Sequence, residues 1–217
     1  KYGRVIFKIL LNNGFDQEIS ALRAFQGSNF CLLYDYSLED RAYIMERVSP
    51  ADTLFIGTTR EERITIMAGI FRELHKPSVP DTVFPTYLEW FQAGRAGVQQ
   101  RKDCATLLYD LETAGHIILD LCEKYPRRLL LHGDLHHENI LKNETGGYTV
   151  IDPKGVIGDP VFDLSRFILD EFRDDLTSEP RDAITAFVRA LGKEVGIPDR
   201  VLLQGMYVET VIWLFLS

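Results

Sequence analysis

The sequence predicts an α+β fold in two parts, a small β-rich part followed by a larger and mainly helical part. Apolar strand-like runs come first, and apolar residues at helical spacing follow for most of the chain. One predicted hairpin lies inside the helical region. The pattern changes between Glu46 and Pro50, so we expect the two parts to span residues 1–48 and 49–217.

The first part contains three predicted strands and one helix. The strands are runs rich in β-branched and aromatic residues, and they span residues 4–10, 30–37 and 41–48. The helix, residues 17–25, has apolar side chains at helical spacing and Glu18 in its first turn. Lys8 is the exception in the first strand, because it places a charge in an apolar run.

The second part begins with a strong helix signal. Thr59 and Glu62 match a capping box, in which each side chain accepts a hydrogen bond from the other residue's backbone N–H. A weaker helix is predicted around residues 88–91, and a long one from about 103 to 124.

From Pro160 onward the pattern is helical, with breaks expected at Gly192 and at residues 196–198. The last helix runs to residue 217 with neither a glycine nor a polar cap. We therefore expect the natural chain to continue beyond it.

The charge balance restricts the kind of partner. With 24 Lys and Arg against 32 Asp and Glu, the formal net charge is −8. Nucleic-acid affinity depends largely on basic side chains that neutralise phosphates, so no nucleic-acid partner is expected. A small cationic partner suits the acidic field better. The oligomeric state leaves no signal in the sequence.

The cysteines and the apolar segments indicate a cytoplasmic protein. Cys31, Cys104 and Cys122 are odd in number and widely spaced, so neither a disulfide framework nor a thiolate zinc site is predicted. No signal peptide opens the chain, and the apolar tail at residues 211–217 is too short to span a bilayer. We expect a reducing cytoplasm and no membrane partner.

The chemistry concentrates in residues 129–155, LLLHGDLHHENILKNETGGYTVIDPKG. An apolar run ends in a cluster of His, Asp and Glu side chains, a hairpin pattern follows, and Asp-Pro-Lys-Gly closes the stretch. Two hypotheses account for it: a metal-dependent hydrolase built on histidines, or a phosphotransferase built on Asp134, Asn139 and Asp152.

The hydrolase hypothesis depends on four close-packed ligands, His132, Asp134, His136 and His137. Imidazole suits zinc, iron or nickel. The surrounding sequence gives little support, because the other two histidines precede the cluster and no histidine or cysteine follows it. Carboxylates would have to complete a dinuclear site.

The phosphotransferase hypothesis depends on spacing. Asp134 and Asn139 are five residues apart, as in a kinase catalytic loop. A substrate hydroxyl needs a carboxylate that orients it and accepts its proton, which Asp134 can supply. A magnesium ion on nucleotide phosphates needs hard oxygen ligands. The predicted hairpin folds Asp152 back beside Asn139, so these two residues can share the ion.

Several spaced elements together resemble the aminoglycoside phosphotransferase family: LLLHGDLHHENIL, followed by VIDPKGVIGDPVFDL. The Asp-Pro-Lys-Gly form is similar to the branch of streptomycin 6-phosphotransferases and hydroxyurea kinases. The resemblance implies a protein-kinase-like fold, with a nucleotide-binding lobe in residues 1–48 and a catalytic and substrate-binding lobe in residues 49–217. It also implies ATP and Mg²⁺ as cofactors and a hydroxyl of a streptomycin-like aminoglycoside as acceptor.

Two alternatives to this function stay open. One is a metabolic kinase of a sugar, an amino alcohol or a hydroxyurea-like compound. The other is a nucleotide-binding protein without turnover.

The resemblance also implies roles for single residues. Asp134 would be the catalytic base, with Asn139 and Asp152 as magnesium ligands. His132 would hold the catalytic loop in shape, and Asp163 would brace the next segment by accepting backbone hydrogen bonds. Simpler interpretations compete for two of them: a satisfied core histidine at position 132 and a helix-start carboxylate at position 163.

The first part supports a nucleotide site. Lys8 and Glu18 fit the ion pair that presents a lysine to nucleotide phosphates. Otherwise Lys8 would extend into solvent and Glu18 would only favour a helix N-terminus. The backbone from Glu46 to Val48 resembles the hinge between lobes, where it would bond an adenine edge.

The start of the chain departs from the family pattern. A kinase lobe normally has two strands and a glycine-rich loop before the lysine strand, but only seven residues precede Lys8. The small lobe is therefore expected to be truncated.

An acidic run follows the motif segment: Asp170, Glu171, Asp174 and Asp175. We expect these carboxylates to attract the ammonium or guanidinium groups of an acceptor. A solvated helix face is the simpler interpretation.

Overall fold

The computed structural model describes residues 3–10, 14–26, 29–77, 84–99, 108–173 and 180–216. In this part of the chain the strands are β1 (Val5–Ile9), β2 (Leu33–Ser37), β3 (Ala42–Glu46), β4 (Pro50–Thr53), β5 (Lys76–Pro77), β6 (Leu129–Leu131), β7 (Ile140–Asn143), β8 (Tyr148–Val150) and β9 (Val156–Gly158). The α-helices are α1 (Phe15–Phe25), α2 (Arg60–Leu74), α3 (Tyr87–Gln99), α4 (Leu108–Lys124), α5 (Val161–Glu171), α6 (Pro180–Val195) and α7 (Asp199–Leu216).

The strands form three small antiparallel sheets, in the orders β1-β3-β2, β4-β7-β8 and β5-β6-β9. The chain passes from the first sheet to the second between Glu46 and Pro50, where the sequence places the boundary between the two parts. One continuous apolar core runs through both parts. The division at residues 48 and 49 therefore stays a prediction.

The predicted α+β class is confirmed, and so are several local predictions. The Thr59 hydroxyl accepts from the Glu62 N–H (3.2 Å), and the Glu62 carboxylate accepts from the Thr59 N–H (2.7 Å). The predicted hairpin is the β7–β8 pair. The helix predicted around residues 88–91 is longer in the structure, where α3 spans Tyr87–Gln99. The long helix is described from Leu108 onward, and its predicted first residues lie outside the described part.

The break predicted at Gly192 is wrong, because α6 continues through this residue to Val195. A Cβ atom at position 192 would lie only 2.6 Å from the Ile197 carbonyl oxygen. Glycine therefore serves close packing here, since it lets the connection to α7 fold against the helix. The chain leaves the helix at Gly196, whose φ of +73° is left-handed.

Two short strands that were not predicted from the sequence position the motif. β6 and β9 pair with each other and flank the segment from His132 to Gly155. The N–H groups of Lys154 and Gly155 both donate to the His132 carbonyl, at 2.8 and 3.0 Å. The two ends of the motif therefore meet. Among the described helices, none is both long and apolar enough to cross a membrane.

Gly155 is required at this junction for two reasons. Its φ is +73°, and a Cβ atom would lie 2.6 and 2.8 Å from ring carbons of Phe84. We expect Gly155→Ala to lower the free energy of unfolding by about 2–4 kcal/mol, from left-handed strain and overpacking together. Urea unfolding measures the loss.

Gly146→Ala is the matched control, because Gly146 has a φ of +85° and open space around it. This variant should pay only the left-handed strain, about 1 kcal/mol. Equal losses in the two variants would contradict the close packing at Gly155.

Candidate active site

The loop between β6 and the short 3-10 helix His137–Asn139 is held by His132, which is fully buried. The His132 Nδ1 accepts from the Asp134 N–H (3.1 Å), and Nε2 lies 2.8 Å from the Ile151 carbonyl oxygen. The proton must therefore be on Nε2, since a carbonyl can only accept. Burial lowers the pKa of His132 more than the nearby carboxylates raise it. The neutral ring links the loop to the hairpin.

Asp163 holds the same loop from the other side. Its two oxygens accept from the backbone N–H groups of His132 and Gly133, both at 2.9 Å, and Oδ2 lies 3.1 Å from His75 Nε2. Burial alone would raise the pKa of Asp163, but His75 and the other donors outweigh it and lower the pKa. Asp163 also lies in the first turn of α5. Asp163 therefore accepts backbone hydrogen bonds, as expected, but from the preceding loop and not from the segment that follows it.

Asp134 is clamped by two cations. Lys154 Nζ lies 2.7 Å from Oδ2, and Arg166 Nε donates to Oδ1 at 3.0 Å. Burial alone would raise the pKa of Asp134, but Lys154 and Arg166 more than offset it and lower the pKa to about 2. Asp134 is therefore ionised at any pH the protein meets in a cell. Lys154 belongs to the Asp-Pro-Lys-Gly motif, but the motif alone gave it no predicted role.

The hairpin brings the two predicted magnesium ligands to neighbouring positions. The Ile151 N–H donates to the Asn139 carbonyl (3.0 Å), so Asp152 follows directly beside Asn139. The Asn139 Nδ2 donates to the Asp134 carbonyl (3.0 Å), so Oδ1 is the side-chain atom that can bind a cation. An amide oxygen and a carboxylate are hard ligands, so this pair fits Mg²⁺.

Lys8 connects the first sheet to this pair. Its Nζ lies 2.8 Å from Glu18 Oε1 and 3.1 Å from Asp152 Oδ1, and the Tyr43 hydroxyl donates to Glu18 as well. Burial alone would lower the pKa of the Lys8 ammonium, but Glu18 and Asp152 outweigh it and raise the pKa. Lys8 is thus held between Glu18 on α1 and Asp152 after β8 and does not extend into solvent. We call the space between the first sheet, α1 and the β7–β8 hairpin the cleft.

The predicted hinge, Glu46 to Val48, lies at the end of β3. The Glu46 N–H donates to the Leu32 carbonyl (2.8 Å), and the Glu46 carboxylate accepts from the Leu32 N–H (3.0 Å). Val48 is buried just before β4. Adenine contact by this backbone stays a prediction.

The expected acidic acceptor surface is wrong for Asp170 and Glu171, which are both buried. The His137 Nδ1 lies 2.9 Å from Asp170 Oδ2, and Nε2 lies 2.8 Å from Glu171 Oε2. Arg63 also donates to Glu171 through two nitrogens, at 2.8 and 2.6 Å. These carboxylates are turned inward to satisfy the histidine and the arginine. Asp174 and Asp175 lie outside the described residues.

The histidine cluster does not converge. His132 and His137 use both ring nitrogens within the protein, as described above. Within the described ranges, no three His, Cys, Asp or Glu side chains are grouped so that they could hold a metal ion. This geometry gives the hydrolase hypothesis no support.

Two adjoining pockets lie at the cleft. One, of about 250 Å³, lies beside Lys154, Gly155 and α1. The other, of about 180 Å³, is lined by Trp90, Gly133, Asp134, Lys154, Arg166, Glu209, Ile212 and Trp213. The residues from α3 and α7 are far from the motif in the chain, so no sequence pattern marks them.

The fold is protein-kinase-like, the class that solved choline kinases and aminoglycoside phosphotransferases share. Choline kinase LicA from Streptococcus pneumoniae superimposes with a TM-score of 0.73 at 17% identity, over 96% of this chain and 75% of that one. An aminoglycoside phosphotransferase from Streptomyces rimosus, solved with ADP and streptomycin, gives 0.71 at 16% identity, over 97% and 88% of the two chains. The predicted fold is confirmed.

The chain belongs to the family of aminoglycoside/hydroxyurea antibiotic resistance kinases, whose model matches residues 9–213. The streptomycin 6-kinase of Streptomyces griseus is 29% identical over 149 residues, which are 66% of this chain and 47% of that protein. The hydroxyurea phosphotransferase of Kitasatospora aureofaciens is 27% identical over 209 residues, 89% and 56% of the two chains. This chain therefore spans about half the length of these curated relatives.

The contacts of Glu171 with His137, Arg63 and Arg60, called here the His137 network, predict that the stability of the protein depends on pH. Burial alone would raise the pKa of Glu171, but Arg63, His137 and Arg60 outweigh it and lower the pKa from 4.5 to about 2. Ionised Glu171 therefore contributes stability above pH 4.5, and the contribution is lost as pH falls toward 2. We expect Glu171→Gln to lower the free energy of unfolding by about 3 kcal/mol near pH 7, because the buried charge of Arg63 then has no partner.

Urea unfolding at about pH 7, 5 and 3.5 checks this, and the difference from the parent should narrow at the lowest pH. Glu123→Gln, at an exposed site on α4, is the control and should leave the free energy of unfolding unchanged at each pH. A difference that stays constant across this range would contradict the network.

Proposed function

We propose that this protein is an ATP-dependent kinase that transfers the γ-phosphoryl group to a hydroxyl of a streptomycin-like aminoglycoside. The observation that carries the proposal is the meeting of Asp134, Asn139, Asp152 and the Lys8–Glu18 pair in one cleft. The family and its streptomycin kinases support the acceptor class.

Asp134 is the residue that meets the acceptor. The acceptor hydroxyl donates to Oδ2 in place of Lys154, while Arg166 keeps Oδ1 and the orientation of the carboxylate. The acceptor oxygen then bonds to the γ-phosphorus as the bond from that phosphorus to ADP breaks, and the hydroxyl proton passes to Asp134. Lys154 lowers the pKa of Asp134 more than any other group, so its displacement by the acceptor makes the carboxylate a stronger base for this proton.

Lys8, Asn139 and Asp152 serve the nucleotide side. Lys8 already contacts Asp152, so a small movement of its ammonium reaches phosphates placed beside the hairpin. Asn139 and Asp152 would hold Mg²⁺, which when bound neutralises charge on the phosphates. Glu18 keeps Lys8 extended toward this place.

A hydroxyurea-like acceptor is the second candidate. It is favoured by the hydroxyurea phosphotransferase, whose similarity extends over 89% of this chain. ATP consumption with streptomycin, kanamycin, hydroxyurea and a neutral hexose, each against water alone, tests both candidates. If no acceptor in the panel raises ATP consumption above the rate with water alone, the proposed function is contradicted.

We also propose a cytoplasmic location and no nucleic-acid partner. Among the described residues, Cys31 and Cys122 are free thiols, which suits a reducing compartment. The net charge of −8 disfavours polyanion binding.

Asp134→Asn should lower turnover by about 10²–10⁴-fold, the scale of general-base assistance, with Mg·ATP affinity nearly intact. The amide cannot accept the proton, although it can still orient a hydroxyl. Steady-state kinetics measure the loss, and a thermal melt checks that Lys154 and Arg166 do not disrupt the variant. Turnover within about threefold of the parent would remove Asp134 from this role.

Asp152→Asn should weaken Mg²⁺-dependent ATP binding, because the amide lacks the charge that helps to hold the ion. Calorimetric titration with ATP, with and without Mg²⁺, measures it. Glu123→Gln again serves as the control. An unchanged magnesium dependence in Asp152→Asn would exclude Asp152 as a ligand.

A further inference from the structure

Glu209 on α7 is a buried carboxylate that the catalytic arrangement above does not use. It is 4% exposed, it lines the same 180 Å³ pocket as Asp134, and the Tyr87 hydroxyl donates to it. In the described part of the chain, no Lys, Arg or His forms an ion pair with it.

The other buried carboxylates of the described residues all have a basic partner. Asp159 pairs with Arg127 at 2.8 Å, Asp163 with His75, Asp170 with His137, and Glu171 with Arg63. Asp134 is matched by Lys154 and Arg166. A carboxylate buried without a cation is costly. Glu209 is therefore the acidic group at which a cation from outside would gain most.

The pocket walls suit an organic cation. Trp90 and Trp213 line the pocket together with Glu209. The faces of tryptophan rings attract ammonium and guanidinium groups, more strongly where water is excluded. Trp213 is 48% exposed, so its ring is accessible from solvent.

We propose that Glu209 binds a cationic nitrogen group of the acceptor, an ammonium or a guanidinium, between Trp90 and Trp213, so that a hydroxyl of the same molecule reaches Asp134. The inference rests on the proposed function for its reacting end. The proposed contact with the acceptor therefore lies on α7 and not in the acidic run after Asp163.

This site couples acceptor binding to pH. Burial raises the pKa of Glu209 to about 8. The other charged groups facing the pocket are Asp134, Lys154 and Arg166, which neutralise one another in part, and Tyr87 supplies a neutral hydroxyl. A bound cation favours the ionised carboxylate, so binding below pH 8 releases a proton. Affinity for the cation should rise as pH rises toward about 8.

The test compares the parent with Glu209→Gln, which has the same shape and can still bond Tyr87. The KM for streptomycin should rise about 10–100-fold, the contribution of one hydrogen bond between charged groups. The KM for ATP should be unchanged. Calorimetry at pH 7 in two buffers of different ionisation enthalpy should show proton release on streptomycin binding by the parent, and about one proton less by the variant.

Trp213→Leu is the second variant, because its side chain is half exposed and its loss should not unfold the protein. Its KM for streptomycin should rise several-fold, with the thermal melt unchanged. Glu123→Gln is the control for removal of a carboxylate.

The outcomes separate the two proposals. If streptomycin is phosphorylated and neither the KM nor the proton release changes in Glu209→Gln, the inference is overturned while the kinase function stands. If no acceptor is phosphorylated, the proposed function fails, and streptomycin binding measured by calorimetry still decides on Glu209. Equal KM changes for streptomycin and for a neutral hexose would indicate a purely structural role and also overturn the inference.

Discussion

One face of α5 holds the loop from His132 to His137, and the rest of the candidate site depends on this contact. Asp163, Arg166 and Asp170 are spaced by three and four residues, so they share one side of the helix. Each bonds a different point of the loop: the N–H groups of residues 132 and 133, the carboxylate of Asp134, and the N–H of His137. A rigid helix thereby fixes three successive points of an irregular segment, which is how a loop gains the precision that chemistry requires.

The charged groups of the protein separate into two kinds. Most buried carboxylates are matched by arginine or histidine, and these pairs position elements. The groups at the cleft form ion pairs that the proposed substrates would replace: Lys8 bridges two carboxylates, and Lys154 occupies the oxygen of Asp134 to which the proposed acceptor hydroxyl would donate. In the proposed function, phosphates and a cation would take over these contacts. The resting site is thus electrically satisfied and still able to exchange partners.

Much of the local structure could be predicted from the sequence, because its causes are local. The Thr59 cap, the β7–β8 hairpin and the amphipathic helices depend on neighbouring residues. Gly192 shows the limit of such arguments: a glycine inside a helix usually indicates a break, but here the carbonyl of Ile197 needs the empty space. The short strands β6 and β9 were missed because each depends on pairing with strands distant in the chain: β6 lies between β5 and β9, and β9 pairs with β6.

The sequence by itself predicted the chemistry of the motif, since the types and spacing of Asp134, Asn139 and Asp152 favour phosphoryl transfer before any fold is known. It could not determine what each remaining carboxylate does. Asp170 and Glu171 looked like a surface for cations and are buried against His137, whereas Glu209 carried no signal and lines the same pocket as Asp134. The reason is physical: the behaviour of a carboxylate depends on its burial and its partners, and both are decided only when distant segments pack together.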